Sequence, residues 1–263
     1  MAALLMIVIL VAIVVVAWTV IPVVAWAIVM LLLAAFIVLG GYQITRRLFG
    51  ALIDERNKVS LSRLQTILWT ILVVSALLVA SLANIRQGGQ DPLNIKIPPE
   101  LWIVLGISVT SLVGAGLIKY DKGKAEPQEQ PAKLALAKSG KVEAQNIRKD
   151  QNVLVTGDTQ KPTILAIGTL TVNDNPSQAS WLDMFKAEEV GNDGRLDLGK
   201  VQVFYFTIIL VVVYGAALAS MFHGDEKSSI TAFPILSESM LVLLGISHAA
   251  YLTNKAVPRT PTI

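Results

Sequence analysis

Cysteine is absent from the sequence. Disulfides, thiolate metal sites and cysteine nucleophiles are excluded with it. Charge is scarce: 16% of the 263 residues are charged, against about 25% in a soluble domain. No charged side chain occurs before Arg46. No P-loop, Rossmann glycine pattern, H-E-x-x-H or plausible nucleophile–base pair occurs, so no catalytic constellation, cofactor site or metal site is expected. The N-terminus lacks the basic start and cleavage site of a signal peptide. Residues 1–45 are therefore read as part of the mature chain.

What is present is apolar. Hydrophobic residues make up 54% of the chain, and the mean hydropathy is +0.61. Apolar runs of 18 or more residues read as membrane spans. Four such spans are predicted, at Leu64–Ala83, Leu101–Ile118, Val201–Phe222 and Phe233–Leu252. The net charge of +3 then gives no reason to expect nucleic acid, because cytoplasmic loops of membrane proteins are basic.

The uncharged stretch from Met1 to Thr45 is too long for one ordinary span. Pro22 lies near its middle, with Trp18 and Trp26 on either side. Proline breaks a helix and tryptophan prefers the membrane interface. A hairpin of two spans fits best. Its weakness is a turn almost without polar residues, and one long kinked helix is the alternative.

Basic residues orient the spans. Arg46, Arg47, Arg56, Lys58 and Arg63 precede the Leu64 span. Lys119, Lys122 and Lys124 follow the Leu101 span, and Lys255 and Arg259 end the chain. The loops Asn84–Glu100 and His223–Ala232 are poorer in Lys and Arg. The positive-inside rule places the three basic regions in the cytoplasm.

A polar insert lies between Lys119 and Lys200. "DKGKAEPQEQP" reads as a linker. "AKLALAKSGKVEAQNIRKD", residues 132–150, reads as a short helix. "NVLVTGDTQKPTILAIGTLTV" reads as a β-hairpin. "SWLDMFKAEEV" reads as an amphipathic helix. Trp181, Met184 and Phe185 are expected to face the membrane or a partner, and Glu188 and Glu189 water.

The chain also repeats itself. Displaced by 137 positions, Leu61 meets Leu198, Arg63 meets Lys200, Gln65 meets Gln202 and Thr70 meets Thr207. Ser60 meets Asp197, and both are favoured N-caps. The motif L-G-I-S at Leu105–Ser108 returns at Leu244–Ser247. It begins a face of small residues, Gly106, Thr110 and Gly114, answered by Gly245, Ala249 and Thr253. Small-xxx-small faces let transmembrane helices approach closely. Gly106 and Gly245 are expected at such contacts, with Val104 and Val242 facing lipid.

The expected fold is an all-α polytopic membrane protein. It has an N-terminal apolar segment (1–45), a first transmembrane hairpin (46–119), a cytoplasmic insert with a β-hairpin (120–180), a second, parallel hairpin (181–256) and a tail (257–263). The run S-L-x-R-x-Q from Ser60 to Gln65, an aromatic, a span and then L-G-I-S resembles an uncharacterised group of bacterial membrane proteins. The likeness covers Ser60–Ile118 and, less closely, Asp197–Asn254, where Asp197, Gly199 and Lys200 replace the serines and the arginine. It implies a bacterial cytoplasmic membrane and the hairpin unit, and it transfers no activity.

The remaining polar residues each have two readings. Gln65 and Gln202 are either a polar contact between helices or interfacial residues bonded to headgroups. Arg63 and Lys200 are either topology marks or contacts to anionic lipid. Asp54, Glu55, Glu188, Glu189, Asp193 and Asp197 are read as solvated turns and caps rather than a cation site. His248 is read as a hydrogen-bonding residue rather than a proton relay, since no intramembrane acid partners it. The expected function is a non-enzymatic membrane scaffold that forms a homo-oligomer in contact with lipid. The β-rich Asn152–Val172 stretch is expected to meet neighbouring copies, and the insert offers a surface for another protein. The alternative is an oligomeric channel for ions or small solutes. An evident polar stripe or charged ring, which a pore would want, is missing from the spans.

Overall fold

A computed structural model describes residues 2–89, 91–125, 148–150, 153–156, 163–190, 192–224 and 229–257. It is mostly helical: α1 (Ala2–Thr19), α2 (Pro22–Thr45), α3 (Leu61–Arg86), α4 (Pro99–Lys124), α5 (Leu198–Phe222) and α6 (Glu238–Ala256). Of these, α1 to α5 are long and apolar enough to cross a membrane. The start of α3 at Leu61 and of α5 at Leu198 keeps the displacement of the sequence repeat. The last helix begins later than the expected Phe233. Pro234 lacks an N–H, and the preceding Phe233 spends its own N–H on Lys96 O at 3.0 Å.

The chain divides into two compact units. The first holds residues 1–51, 64–109 and 205–246. Here the N-terminal run forms the hairpin rather than one long helix. Ile21 is extended (φ −61°, ψ 142°) and Pro22 opens α2, since a residue before proline avoids the helical region. The arms lie antiparallel, so a Cβ on Gly40 would sit 3.9 Å from the Met6 side chain. The apolar turn is satisfied from outside: Arg86 Nη1 donates to Trp18 O (3.0 Å) and Val20 O (3.3 Å). After α2 the chain folds back on itself. Arg46 adopts a left-handed conformation and its N–H closes on Tyr42 O. Gly41 then meets Ala51 backbone so closely that a Cβ would lie 2.3 Å from Ala51 N.

The core of this unit is built by Val29, Trp69, Val79, Leu101, Val104, Tyr214, Leu218 and Leu244. Trp26 stacks at a tilt on Phe222, with centroids 5.7 Å apart. It is buried, whereas Trp18 is exposed. Leu4, Leu31 and Val212 point outward, as lipid-facing residues do. The two short loops are stitched together. Lys96 pairs with Ala232 in a parallel bridge. Asn84 donates to Pro92 O (3.1 Å) and Ile230 O (2.8 Å) and accepts from Ile230 N (2.8 Å).

The second unit holds residues 52–63, 110–204 and 247–263. Its sheet is an antiparallel meander of β1 (Arg148–Asp150), β2 (Val153–Thr156), β3 (Thr163–Ile167) and β4 (Leu170–Thr171) in that order. The expected hairpin is the β2–β3 pair, with Val153 opposite Ile167 and Thr156 opposite Thr163. Of the helix expected over 132–150, residues 148–150 are strand β1. The rest of that helix, the linker beyond residue 125, and Asn152 with the turn at 157–162 lie outside the described residues.

The expected amphipathic helix is reduced to one 3-10 turn, Trp181–Met184, capped by Ser180 and Asp183. Beyond it the backbone pairs as strands do. Lys186 bridges Leu196 and Glu189 bridges Leu170, so those peptide groups are taken from any helix. Met184 is buried while Trp181 is exposed. Phe185 meets Phe204 edge-on at 5.0 Å.

Candidate functional site

The second unit holds a largely buried cluster of charged side chains. It starts with a turn. Ile53 and Val59 form a bridge, and Asn57 N–H donates to Asp54 O at 3.0 Å. Asn57 takes a left-handed φ of 57°, which asparagine tolerates. Asp54 Oδ1 accepts the N–H groups of Arg56 (3.0 Å) and Lys58 (3.2 Å). Its Oδ2 accepts Arg56 Nη2 (2.8 Å), Arg56 Nε (3.1 Å) and Lys119 Nζ (2.7 Å). The turn is pinned to the strand side by a reciprocal amide pair. Asn57 Nδ2 donates to Asn173 O, and Asn173 Nδ2 to Asn57 O, both at 2.8 Å.

Glu188 is the second hub. Lys200 Nζ from the start of α5 lies 2.9 Å from Oε1, and Lys255 Nζ from the end of α6 lies 2.6 Å from Oε2. Arg56 Nη2 reaches Oε1 at 3.2 Å. Lys200 also donates to Lys186 O (2.7 Å), and Lys255 to Tyr251 Oη (3.2 Å). Beside this hub, Lys122 pairs with Glu189. Lys58 Nζ donates to the hydroxyl of Thr171 and has no ion pair among the described residues.

Burial opposes ionisation of both hub carboxyls. The neighbouring cations outweigh it. Arg56 and Lys119 hold Asp54 far below the usual carboxylate range. Arg56, Lys200 and Lys255 do the same for Glu188. Glu188 and Asp54 in turn raise Arg56 despite its burial. Lys58 differs: burial and the Arg56 charge push it down to about 8. Both hub carboxylates are committed to ion pairs, so neither is matched to act as a base near neutral pH.

Glu188, Glu189 and Asp54 thus correct the reading as solvated turns. Asp54 and Glu189 are buried and the Glu188 side chain is only 13% exposed, because Lys119 pairs Asp54, Lys122 pairs Glu189, and Lys200 and Lys255 pair Glu188. Lys200 is buried and committed to Glu188, so it is not free for headgroups, one of the two readings open to it from the sequence. Its repeat partner Arg63 pairs with the exposed Glu55 at 2.7 Å. Asp197 caps α5, accepting Gly199 N–H (3.0 Å) and Lys200 N–H (3.3 Å).

In the first unit Gln65 is buried in the contact between the two repeats' leading helices. Its Nε2 donates to Thr207 Oγ1 at 2.6 Å. Gln202, its counterpart, is exposed. The small-residue faces are only partly covered within the chain. A Cβ on Gly106 or Gly245 would meet nothing within 4 Å, whereas one on Gly114 would touch Leu252 at 3.5 Å. Gly106, Thr110, Ala249 and Thr253 are exposed. Val104, expected to face lipid, is fully buried, while Val242 is exposed. The intramolecular contact of α4 is made by Leu101 and Val104, because larger side chains fill that side of the core.

The sequence held one signal for the cluster. Its members all fall in segments that the basic residues assign to one face of the membrane, and they mix both signs. No family model, curated protein or solved structure matches the chain.

Proposed function

We propose that the chain is a non-enzymatic, multi-pass protein of a bacterial cytoplasmic membrane that assembles with copies of itself into a scaffold in contact with lipid. The observation that carries this reading is the outward position of small residues in both repeats: Gly106 and Thr110 in one, Ala249 and Thr253 in the other. Their own chain leaves them uncovered. In lipid, helices associate through close packing and polar contacts rather than through a hydrophobic drive, and small residues allow that approach to a second copy. The ion-paired carboxylates of the second unit support a structural rather than catalytic role.

Two measurements test this. Native mass after mild extraction of the full chain is expected to give a discrete homo-oligomer, lost or weakened in Gly106→Leu and Ala249→Leu. A monodisperse monomer would overturn the reading, and a solute flux in proteoliposomes well above empty vesicles would replace it with a channel. Sidedness follows from the basic residues of the second unit. With the positive-inside rule, Cys substituted at Asn94 should react with an impermeant thiol reagent in intact cells, and Cys substituted at Lys186 should not. The reverse pattern would invert the topology.

A further inference from the structure

The charge cluster of the second unit does not balance. Within ion-pair distance Arg56, Lys119, Lys200 and Lys255 share Asp54 and Glu188, a surplus of two positive charges, and Lys58 beside them feels Asp183 and Asp193 only from beyond that distance. Lys122 and Glu189 close a pair of their own. Buried charge without a counter-charge is costly. One donor is also left over: Arg56 Nη1 is buried and has no hydrogen-bond partner among the described residues. The Arg56 side chain is 8% exposed. A guanidinium N–H in that position ordinarily finds an acceptor.

We infer that this cluster is the binding site of a phosphate-type oxyanion, taken by Arg56 Nη1 together with Lys58 Nζ. Several acceptor oxygens and a charge of one to two answer both the surplus and the spare donor. The planar arginine fork suits phosphate geometry, with lysine as an added point charge. Asn57 and Lys58 are half-buried, so the turn that carries them is where solvent reaches the cluster. Lys58 rests on the neutral hydroxyl of Thr171, a partner that its long side chain can exchange for an anion. The chemistry is shared by a free phosphate-bearing solute and a phospholipid headgroup. It does not depend on whether the chain assembles with itself.

The test uses the full chain and two variants. Arg56→Lys keeps the charge and removes the spare N–H. Lys58→Met removes a charge that is mostly buried and has no carboxylate within ion-pair distance among the described residues, so it is expected to fold and to melt higher than wild type in chloride buffer. In the first arm, thermal unfolding in mild detergent is followed with inorganic phosphate against chloride at matched ionic strength. In the second, the protein is exposed to phosphatidylcholine alone or mixed equally with phosphatidylglycerol, and retained lipid is counted by native mass. A stabilisation by phosphate, with a half-saturating concentration raised about tenfold or more in the variants, assigns the site to a free phosphate-bearing ligand. Selective retention of phosphatidylglycerol, lost in Lys58→Met and without any response to inorganic phosphate, assigns it to a headgroup. If both arms are flat, or the responses are unchanged in Lys58→Met, the inference is overturned. Lys58→Met carries the test even if Arg56→Lys does not fold.

Discussion

Glu188→Gln is expected to destabilise the protein by about 3–5 kcal/mol, the range for breaking a buried ion pair from one side. The amide keeps the shape and removes the charge that faces Arg56, Lys200 and Lys255. Those three cations would then repel one another with little water to screen them. Replacing Glu55, which pairs with Arg63 at the surface, should cost less than about 1 kcal/mol. Removing one of the stranded cations, as in Glu188→Gln with Lys200→Met, should recover part of the loss. The midpoint of thermal unfolding in mild detergent reads all three. Equal, small shifts for Glu188→Gln and Glu55→Gln would show that the cluster is not a stabilising hub.

The pH dependence has a definite sign. The Glu188 and Asp54 carboxyls are held far below their ordinary range in the folded chain. Near pH 4 the unfolded chain therefore binds more protons than the folded one, and stability falls as the pH drops through that region. Glu188→Gln should flatten this fall. Lys58 works in the opposite window. With its folded value near 8 against an ordinary 10.5, the folded chain releases that proton first as the pH rises, so the cost of burying a charged Lys58 is relieved and stability rises with pH between those values. Arg56, Asp183, Asp193 and Glu188 are the charges that set it.

Much of the helical architecture was legible because its causes are local. Hydropathy marks a span within its own window, and Pro22 marks the break between α1 and α2 within a single turn. The repeat fixed where α3 and α5 begin, because Ser60 and Asp197 stand at matching starts. The charge cluster was hidden for the opposite reason. Glu188 and Lys255 are 67 residues apart in sequence, and the strand-like pairing of Lys186–Val190 depends on Leu170 and Leu196. A helical periodicity over Trp181–Val190 carries no trace of those partners. Val104, expected to face lipid, is buried for a third reason. Small residues permit close packing, but Leu101 and Val104 supply the apolar area that the core of the first unit buries, and area prevailed over closeness inside the chain.

Gly168→Ala is expected to be the most disruptive single-methyl change among the described glycines of the insert, on the order of 3 kcal/mol. Two costs combine. Gly168 joins β3 to β4 at φ +59°, a left-handed conformation that costs an L-residue about 1–2 kcal/mol. The added Cβ would also lie 2.1 Å from Lys122 O and 2.7 Å from Gly123 C, backbone atoms at the end of α4. No rotamer relieves that contact, so the β3–β4 turn must lift from the helix and break the Thr169 N–H bond to Lys122 O (3.1 Å). The disturbance does not stop there. Leu170 bridges Glu189, Thr171 N–H donates to Glu188 O at 3.0 Å, and the Thr171 hydroxyl receives Lys58. Lifting the turn therefore loosens both the hub carboxylate and the turn that carries Arg56. Gly116→Ala is the control. Gly116 lies exposed in α4, and a Cβ there meets nothing within 4 Å, so alanine should be neutral or slightly stabilising. Limited trypsin digestion of the full chain in mild detergent separates the two. Gly168→Ala should expose Lys122 and Lys186 to cleavage well before the apolar helices unfold, and Gly116→Ala should digest like wild type. Identical digestion of both variants would mean that the β3–β4 turn does not hold the insert against α4.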